Sequence, residues 1–106
     1  MKSRFGNICA VLVLFSMPAI AGSAEDFATA NRSYADGDYA GARRGYERAL
    51  ADGPRVNVLY NLGNACFRQG ELGRAALEYE RVLALQPRHP DATATKQPLS
   101  SALSPR

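Results

Sequence analysis

One residue pattern occurs twice in this chain, at residues 37–54 and again at residues 70–87. Every landmark of the second copy follows its counterpart in the first copy by the same number of positions. The matched landmarks are Gly37 with Gly70, Ala42 with Ala75, Tyr46 with Tyr79, and Pro54 with Pro87. The constant offset is 33 residues, close to the period of about 34 that indicates one helical hairpin per copy. Because such hairpins bury their apolar faces by stacking, an all-α array with a binding surface is expected.

The residues at the ends of each copy predict where the helices stop and start. Gly37 and Gly70 can adopt the left-handed conformation that ends a helix, and an acidic residue follows each of them. Pro54 and Pro87 come just after the second helix of each hairpin and terminate it. The pattern therefore predicts helices at about 25–36, 39–51, 56–69 and 72–85.

Residues 57–87 closely resemble the tetratricopeptide repeat. The residues that carry the resemblance are Leu59, Leu62, Gly63, Gly70, Ala75, Tyr79 and Pro87. Cys66 replaces an aromatic residue of that family's pattern and Val82 replaces an alanine, but both are apolar. In the first copy, Asp26 and Ser33 stand where the family has bulky apolar groups. The resemblance implies two stacked hairpins, at about 25–55 and 56–87, that form a short α-solenoid.

Small residues at fixed places predict close helix contacts within each hairpin. Ala30 is expected to lie against Ala42, and Gly63 against Ala75, while larger side chains fill the surrounding volume. Gly41 and Gly45 are expected to permit a close helix approach rather than to bind phosphate. Arg74 and Glu78 are spaced to form an ion pair on a solvated helix face.

Residues 1–24 have the features of a secretory signal peptide. Lys2 and Arg4 precede an apolar run at residues 8–15, and cleavage is predicted after Ala21 or Ala24. An uncleaved membrane anchor is the alternative, but the apolar run is shorter than the roughly 20 residues that span a bilayer. We therefore expect a secreted protein, most plausibly in a bacterial periplasm, with no membrane segment after cleavage.

Removal of this segment changes the charge of the chain. The full sequence has 13 basic and 10 acidic residues. Cleavage removes Lys2 and Arg4, which leaves 11 basic and 10 acidic residues. A protein so nearly neutral, and without a dense basic patch, is not expected to bind nucleic acid.

The residues do not form a recognisable catalytic or metal site. His89 is the single histidine, and no serine or cysteine nucleophile is placed to pair with it. One histidine with a buried Cys66 does not make a metal site, and Cys66 is expected to be an inert core thiol. No enzyme activity, cofactor or metal is therefore predicted.

The resemblance implies a partner-binding groove lined by the first helix of each hairpin. The implied lining residues are Phe27, Asn31, Tyr34, Ala35, Tyr60, Asn64, Phe67 and Arg68, with Asn57 and Asn61 at the edge. Aromatic rings give contact area at a small entropy cost, and asparagine amides can pair with a peptide backbone. Another protein or a peptide is the expected partner. A clamp for a C-terminal carboxylate is not expected, because Phe27 replaces its first lysine.

Residues 88–106 are interpreted either as a disordered tail or as an aborted third repeat. Either would leave an apolar edge on the helix at about 72–85, with Leu77, Leu83 and Leu85 as exposed candidates. The alternative function is therefore a structural or self-associating module that uses this edge. A narrower resemblance is to the Bat-type aerotolerance group of envelope tetratricopeptide proteins, which implies a shortened relative of a longer protein.

Overall fold

The computed structural model describes residues 22–103, and within that range all regular structure is helical. Helix α1 spans Ser23–Ala35 and α2 spans Tyr39–Ala49, followed by a 3₁₀ turn at Leu50–Asp52. Helix α3 spans Val56–Arg68, α4 spans Leu72–Leu85 and α5 spans Pro90–Leu103. Helices α1 with α2 and α3 with α4 form two hairpins, and α2 packs on α3. The predicted all-α hairpin stack is confirmed, with four helix starts and ends close to their expected places.

The turns inside the two hairpins have the predicted geometry. Gly37 and Gly70 have φ values of 84° and 82°, which side chains other than glycine rarely adopt. Asp38 caps α2, because its Oδ1 accepts the backbone N–H of Gly41 at 2.9 Å. Glu71 occupies the same place before α4 but makes no capping hydrogen bond with its side chain. The two turns thus share a backbone shape and differ in their capping chemistry.

The core runs continuously through both hairpins. Its largest buried side chains include Tyr46 of α2, Tyr79 of α4 and Leu62 of α3, with Ala42 and Ala75 fully buried beside them. Burial of apolar surface of this kind supplies most of the stability of a small helical array. The residues that recur in both copies therefore serve mainly to build one core shared by the two hairpins.

Two glycines lie where an added side chain would meet the facing helix. A methyl group added at Gly45 would lie 2.7 Å from the Cβ of Ala30, so Gly45 permits the close approach of α1 and α2. At Gly63, an added methyl group would lie 2.6 Å from the ring of Tyr79. Gly41 instead lies near its own helix cap, Asp38. The role predicted for Gly45 is therefore supported, whereas the nearest atoms to Gly41 belong to its own helix cap.

The expectation of a disordered tail is wrong for residues 90–103, which form α5 and pack on α4. Ala92 and Leu99 are the anchors, since both are buried and lie in core clusters shared with the repeats. His89 caps the start of this helix, because its Nδ1 accepts the backbone N–H of Ala92 at 3.1 Å. Its ring also stacks on Tyr60, with 5.1 Å between ring centroids. Helix α5 thus agrees with the interpretation as an incomplete third repeat.

Helix α5 covers part of the edge of α4 that was expected to be exposed. Leu83 is half-buried and packs on the cluster of Leu59, Val82 and Ala92. Leu77 and Leu85 remain exposed, at 52% and 50% of their surface. The apolar surface left on α4 is therefore smaller than the sequence indicated, and self-association stays a prediction.

The ion pair of Arg74 with Glu78 was expected on a solvated helix face, but Glu78 is buried. Its carboxylate is fully buried and accepts from Arg74 Nε at 2.8 Å, while Arg81 Nη1 lies 3.0 Å from its second oxygen. Arg74 also reaches Glu47 Oε2 on α2 at 3.0 Å. The ion pairs therefore link the second helices of the two hairpins.

The predicted signal peptide lies outside the described residues, apart from its last three positions. Within residues 22–103, no helix is both long and apolar enough to cross a membrane.

Candidate functional site

A cavity of about 150 Å³ opens between α1 and α3, the first helices of the two hairpins. Its lining residues are Asn31, Tyr34, Ala35, Tyr46, Asn61 and Asn64. Four of them, Asn31, Tyr34, Ala35 and Asn64, belong to the groove that the sequence predicted, and Asn61 was placed at its edge. We call this set of six residues the inter-repeat cavity. None of its lining side chains carries a charge, so the cavity is polar and electrically neutral.

Two buried tyrosines hold the asparagines of the inter-repeat cavity. Tyr46 Oη donates a hydrogen bond to Asn31 Oδ1 at 2.6 Å, and Tyr79 Oη donates to Asn64 Oδ1 at 2.5 Å. Both bonds join residues 15 positions apart, and the two pairs are separated by the period of the repeat. The same tyrosine–asparagine hydrogen bond therefore occurs once in each hairpin.

A third hydrogen bond joins the hairpins across the cavity. Asn61 Nδ2 on α3 donates to Asn31 Oδ1 on α1 at 3.3 Å. Asn31 Oδ1 therefore accepts from both Tyr46 and Asn61, which uses both lone pairs of that oxygen. This polar contact adds to the apolar core that the two hairpins share.

The tyrosine hydroxyls remain protonated donors well above neutral pH. Burial raises the pKa of Tyr46 to about 12, and the nearby Tyr34 adds to the shift. Burial likewise raises the pKa of Tyr79, with smaller contributions from Tyr60 and Tyr34. The hydrogen bonds to Asn31 and Asn64 therefore persist through the physiological pH range.

Two residues expected to line the groove serve mainly in packing. Phe27 packs against Tyr46 with 5.8 Å between ring centroids, and Tyr60 packs against Tyr79 at 5.7 Å, with the rings tilted in both pairs. Because His89 covers the ring of Tyr60 as well, that ring is half-buried between two neighbours. Neither Phe27 nor Tyr60 lines the inter-repeat cavity.

The remaining predicted groove residues lie near the turn ends of the hairpins. The guanidinium of Arg68 lies 4.5 Å from the centroid of the Tyr39 ring, and Tyr39 meets Tyr34 edge to face at 5.1 Å. Phe67 is exposed over 44% of its surface and does not line the cavity. Sequence reasoning assigned Tyr46 only to the core, although its hydroxyl reaches the cavity; the signal that could have revealed this is its repeated spacing from Asn31.

The described residues contain no group of acidic, histidine or cysteine side chains that could hold a metal ion. Cys66 is fully buried, as expected. Its burial raises the pKa of the thiol to about 11, so the reactive thiolate is scarce at neutral pH.

Hairpins of this length and packing define a class of helical repeat proteins, and comparison with known families identifies it. A model of the tetratricopeptide repeat matches residues 27–92, which is more than half of the chain. The chain belongs to the tetratricopeptide repeat family. Repeats of this family are generally non-catalytic modules that bind other proteins or peptides. No curated protein matches the chain.

Proposed function

We propose that this protein is a non-catalytic periplasmic adaptor that binds another protein or a peptide in the groove between the first helices of its repeats. The inter-repeat cavity carries this proposal, because it lies between α1 and α3 and is lined by polar groups with unused hydrogen-bonding capacity. The half-buried Tyr34 adds aromatic surface beside the amides. Aromatic surface beside amide groups suits recognition of a peptide chain.

The ion pairs that join the two hairpins lie away from the inter-repeat cavity and have a structural role. Arg74 with Glu47 and Arg43 with Glu71 join α2 to α4 and to the turn before it. These pairs lie on the second helices, whereas the inter-repeat cavity lies between first helices. Selectivity for a partner is therefore expected to depend on amides and aromatic rings more than on charge.

Blocking the cavity is expected to abolish peptide capture without unfolding the protein. Ala35→Glu places a long charged side chain at an exposed position that lines the cavity. A peptide selected on the wild-type protein from a displayed library of random short sequences is expected to bind this variant at least about tenfold more weakly, which corresponds to about 1.4 kcal/mol. Isothermal titration calorimetry measures the affinity, and circular dichroism checks the fold.

Leu77→Glu is the matched control, because it adds the same charge at an exposed position on α4. It is expected to leave peptide binding unchanged. Loss of binding in Leu77→Glu, with binding retained in Ala35→Glu, would instead support the alternative in which the α4 surface is the contact site. The double replacement of Tyr60 and Asn64 is a poorer test, because both residues contact Tyr79.

The periplasmic location rests on the predicted signal peptide, with cleavage after Ala21 or Ala24. Protein recovered from a bacterial periplasm is therefore expected to begin at Gly22 or at Glu25, as determined by intact mass; a mass that retains Met1 would contradict secretion by cleavage.

A further inference from the structure

The outward side of α4 carries a row of exposed side chains. Helix α4 buries Ala75, Tyr79 and Val82 against the rest of the protein. The opposite side of the helix has exposed residues at spacings of three and four positions, which share one helix face. These residues, which we call the outer α4 face, are Leu77, Glu80, Arg81 and Ala84. Two apolar positions thus flank two adjacent charges of opposite sign.

A second cavity, of about 190 Å³, adjoins this face at the end of α4. Its lining residues are Pro54, Leu59, Arg81, Ala84 and Leu85. Leu59 is fully buried and belongs to the core cluster of the second hairpin, whereas Leu85 is exposed. Because four of the five lining residues are apolar, an aliphatic side chain placed against Ala84 would extend that core.

The two charges of the outer α4 face retain bonding capacity. Arg81 Nη1 donates to both carboxylate oxygens of Glu78, at 3.4 and 3.0 Å, but no described side chain accepts from its Nε or Nη2. Glu78 is also shared with Arg74. Glu80 Oε2 lies 3.4 Å from Lys96 Nζ, an exposed pair of small energy. Arg81 can therefore bind a second carboxylate, and Glu80 can provide one to another guanidinium.

We propose that the outer α4 face binds a second copy of this chain, with the two α4 helices antiparallel about a two-fold axis between Glu80 and Arg81. In this register Glu80 of each copy faces Arg81 of the other. Leu77, three positions before Glu80, then faces Ala84, three positions after Arg81, at the mouth of the second cavity. The two-fold axis makes each of these contacts twice.

The charges select the direction of the pairing. A parallel pair would place Glu80 against Glu80 and Arg81 against Arg81, which repel each other. The antiparallel pair instead joins opposite charges at its centre and apolar groups at its ends. The face is therefore complementary to itself, and the inter-repeat cavity takes no part in the contact.

The contact area indicates a weak dimer. Helix α4 has 14 residues and is thus about 21 Å long. A single helix face of this length buries less than the roughly 800 Å² per partner of a typical stable complex. We therefore expect a dissociation constant of about 10–100 μM, so that the protein is monomeric at low micromolar concentration.

Sedimentation equilibrium of the purified protein over a concentration series tests the proposal. The wild-type protein is expected to change from monomer to dimer as its concentration rises. Leu77→Glu places a charge at the apolar contact, and Glu80→Arg places two like charges opposite each other. Each is expected to raise the dissociation constant at least about tenfold. Circular dichroism checks that both variants keep their helices.

Two control variants separate the contact from its surroundings. Leu103→Glu makes the same change at an exposed leucine of α5. Lys96→Gln removes the ion pair of Glu80 without altering the outer α4 face. Both are expected to leave the dissociation constant within about twofold of the wild-type value.

Two single-cysteine variants test the register. When Leu77→Cys and Ala84→Cys proteins are mixed and oxidised, the mixed disulfide dimer is expected to form, because the two positions face each other. In either variant alone, the two new thiols lie about 10 Å apart along the helix axes, so few disulfide dimers are expected. Cys66 is fully buried and does not compete.

A protein that stays monomeric up to about 1 mM would overturn the proposal. So would a dimer that neither Leu77→Glu nor Glu80→Arg weakens, or disulfides that form as readily within one variant as in the mixture. Peptide capture, tested by Ala35→Glu, is measured separately, so either result leaves the proposed groove function to its own experiment.

Discussion

Tyr79→Ala is expected to lower the free energy of unfolding by about 3–5 kcal/mol. Tyr79 is among the largest side chains buried in the protein, with 1% of its surface exposed. Its removal leaves a cavity beside Gly63, which has no side chain to fill it, and frees Tyr60 from its ring contact. Because small domains are stable by only about 5–15 kcal/mol, such a loss is a large part of the total. Urea denaturation followed by circular dichroism measures it.

Two controls separate the contributions of Tyr79. Leu77→Ala, at an exposed position of the same helix, is expected to change stability by less than about 0.5 kcal/mol. Tyr79→Phe keeps the ring and is expected to cost only about 1 kcal/mol, the usual value of one hydrogen bond. Equal losses in Tyr79→Ala and Leu77→Ala would show that the ring of Tyr79 does not hold the second hairpin together.

Gly45→Ala is expected to destabilise the protein, although alanine is the better helix former. An added methyl group would lie 2.7 Å from the Cβ and 3.2 Å from the Cα of Ala30, so the backbone of α1 must move. Overpacking of this kind costs about 1–3 kcal/mol, which exceeds the gain of roughly 0.5–1 kcal/mol from replacing a helical glycine. Thermal and urea denaturation of the variant test the sign of the effect.

Gly73→Ala is the control for helix propensity. Gly73 lies in α4 and a methyl group there meets no atom within 4 Å. It is therefore expected to stabilise the protein by about 0.5–1 kcal/mol. If both glycine replacements stabilise the protein, the close approach of α1 and α2 at Gly45 is not a constraint on the fold.

The fold could be predicted from the sequence because the residues that end each helix act through their own backbone geometry. Gly37 and Gly70 end helices by their backbone conformation, and Pro54 and Pro87 lie beyond the second helices for steric reasons. These signals depend on neighbouring residues alone, so their reading needs no tertiary structure. The match of residues 27–92 to the family confirms the same reading.

The candidate site was predicted only in part, because a helix face does not specify which side chains meet across it. Phe27 and Tyr60 share the expected face with Asn31 and Asn64, yet their rings pack on Tyr46 and Tyr79. The role of Tyr46 in the cavity was missed for the same reason. A single tyrosine at a core position does not show where its hydroxyl points, and only the repeated spacing of Tyr46 from Asn31 and of Tyr79 from Asn64 could have indicated it.

Helix α5 was not predicted because few of its own residues favour a helix. Threonines and an internal Pro98 argue against a helix at residues 90–103, and few of its side chains are apolar. Helix α5 is held in place by its packing on α4, by the buried Ala92 and Leu99, and by the contact of His89 with the ring of Tyr60. Packing thus overrides local propensity there.

Residue types and their spacing were enough to predict the helical hairpins, their turns and the small and large residues of the core, since each follows from short-range sterics and from the constant period of the repeat. The packing of the helices was needed to show which atoms each glycine faces, how α5 packs on α4, and that Glu78 is buried between Arg74 and Arg81. Hydrogen bonds and ring contacts between helices depend on the rotation and distance of those helices, which local sequence does not encode.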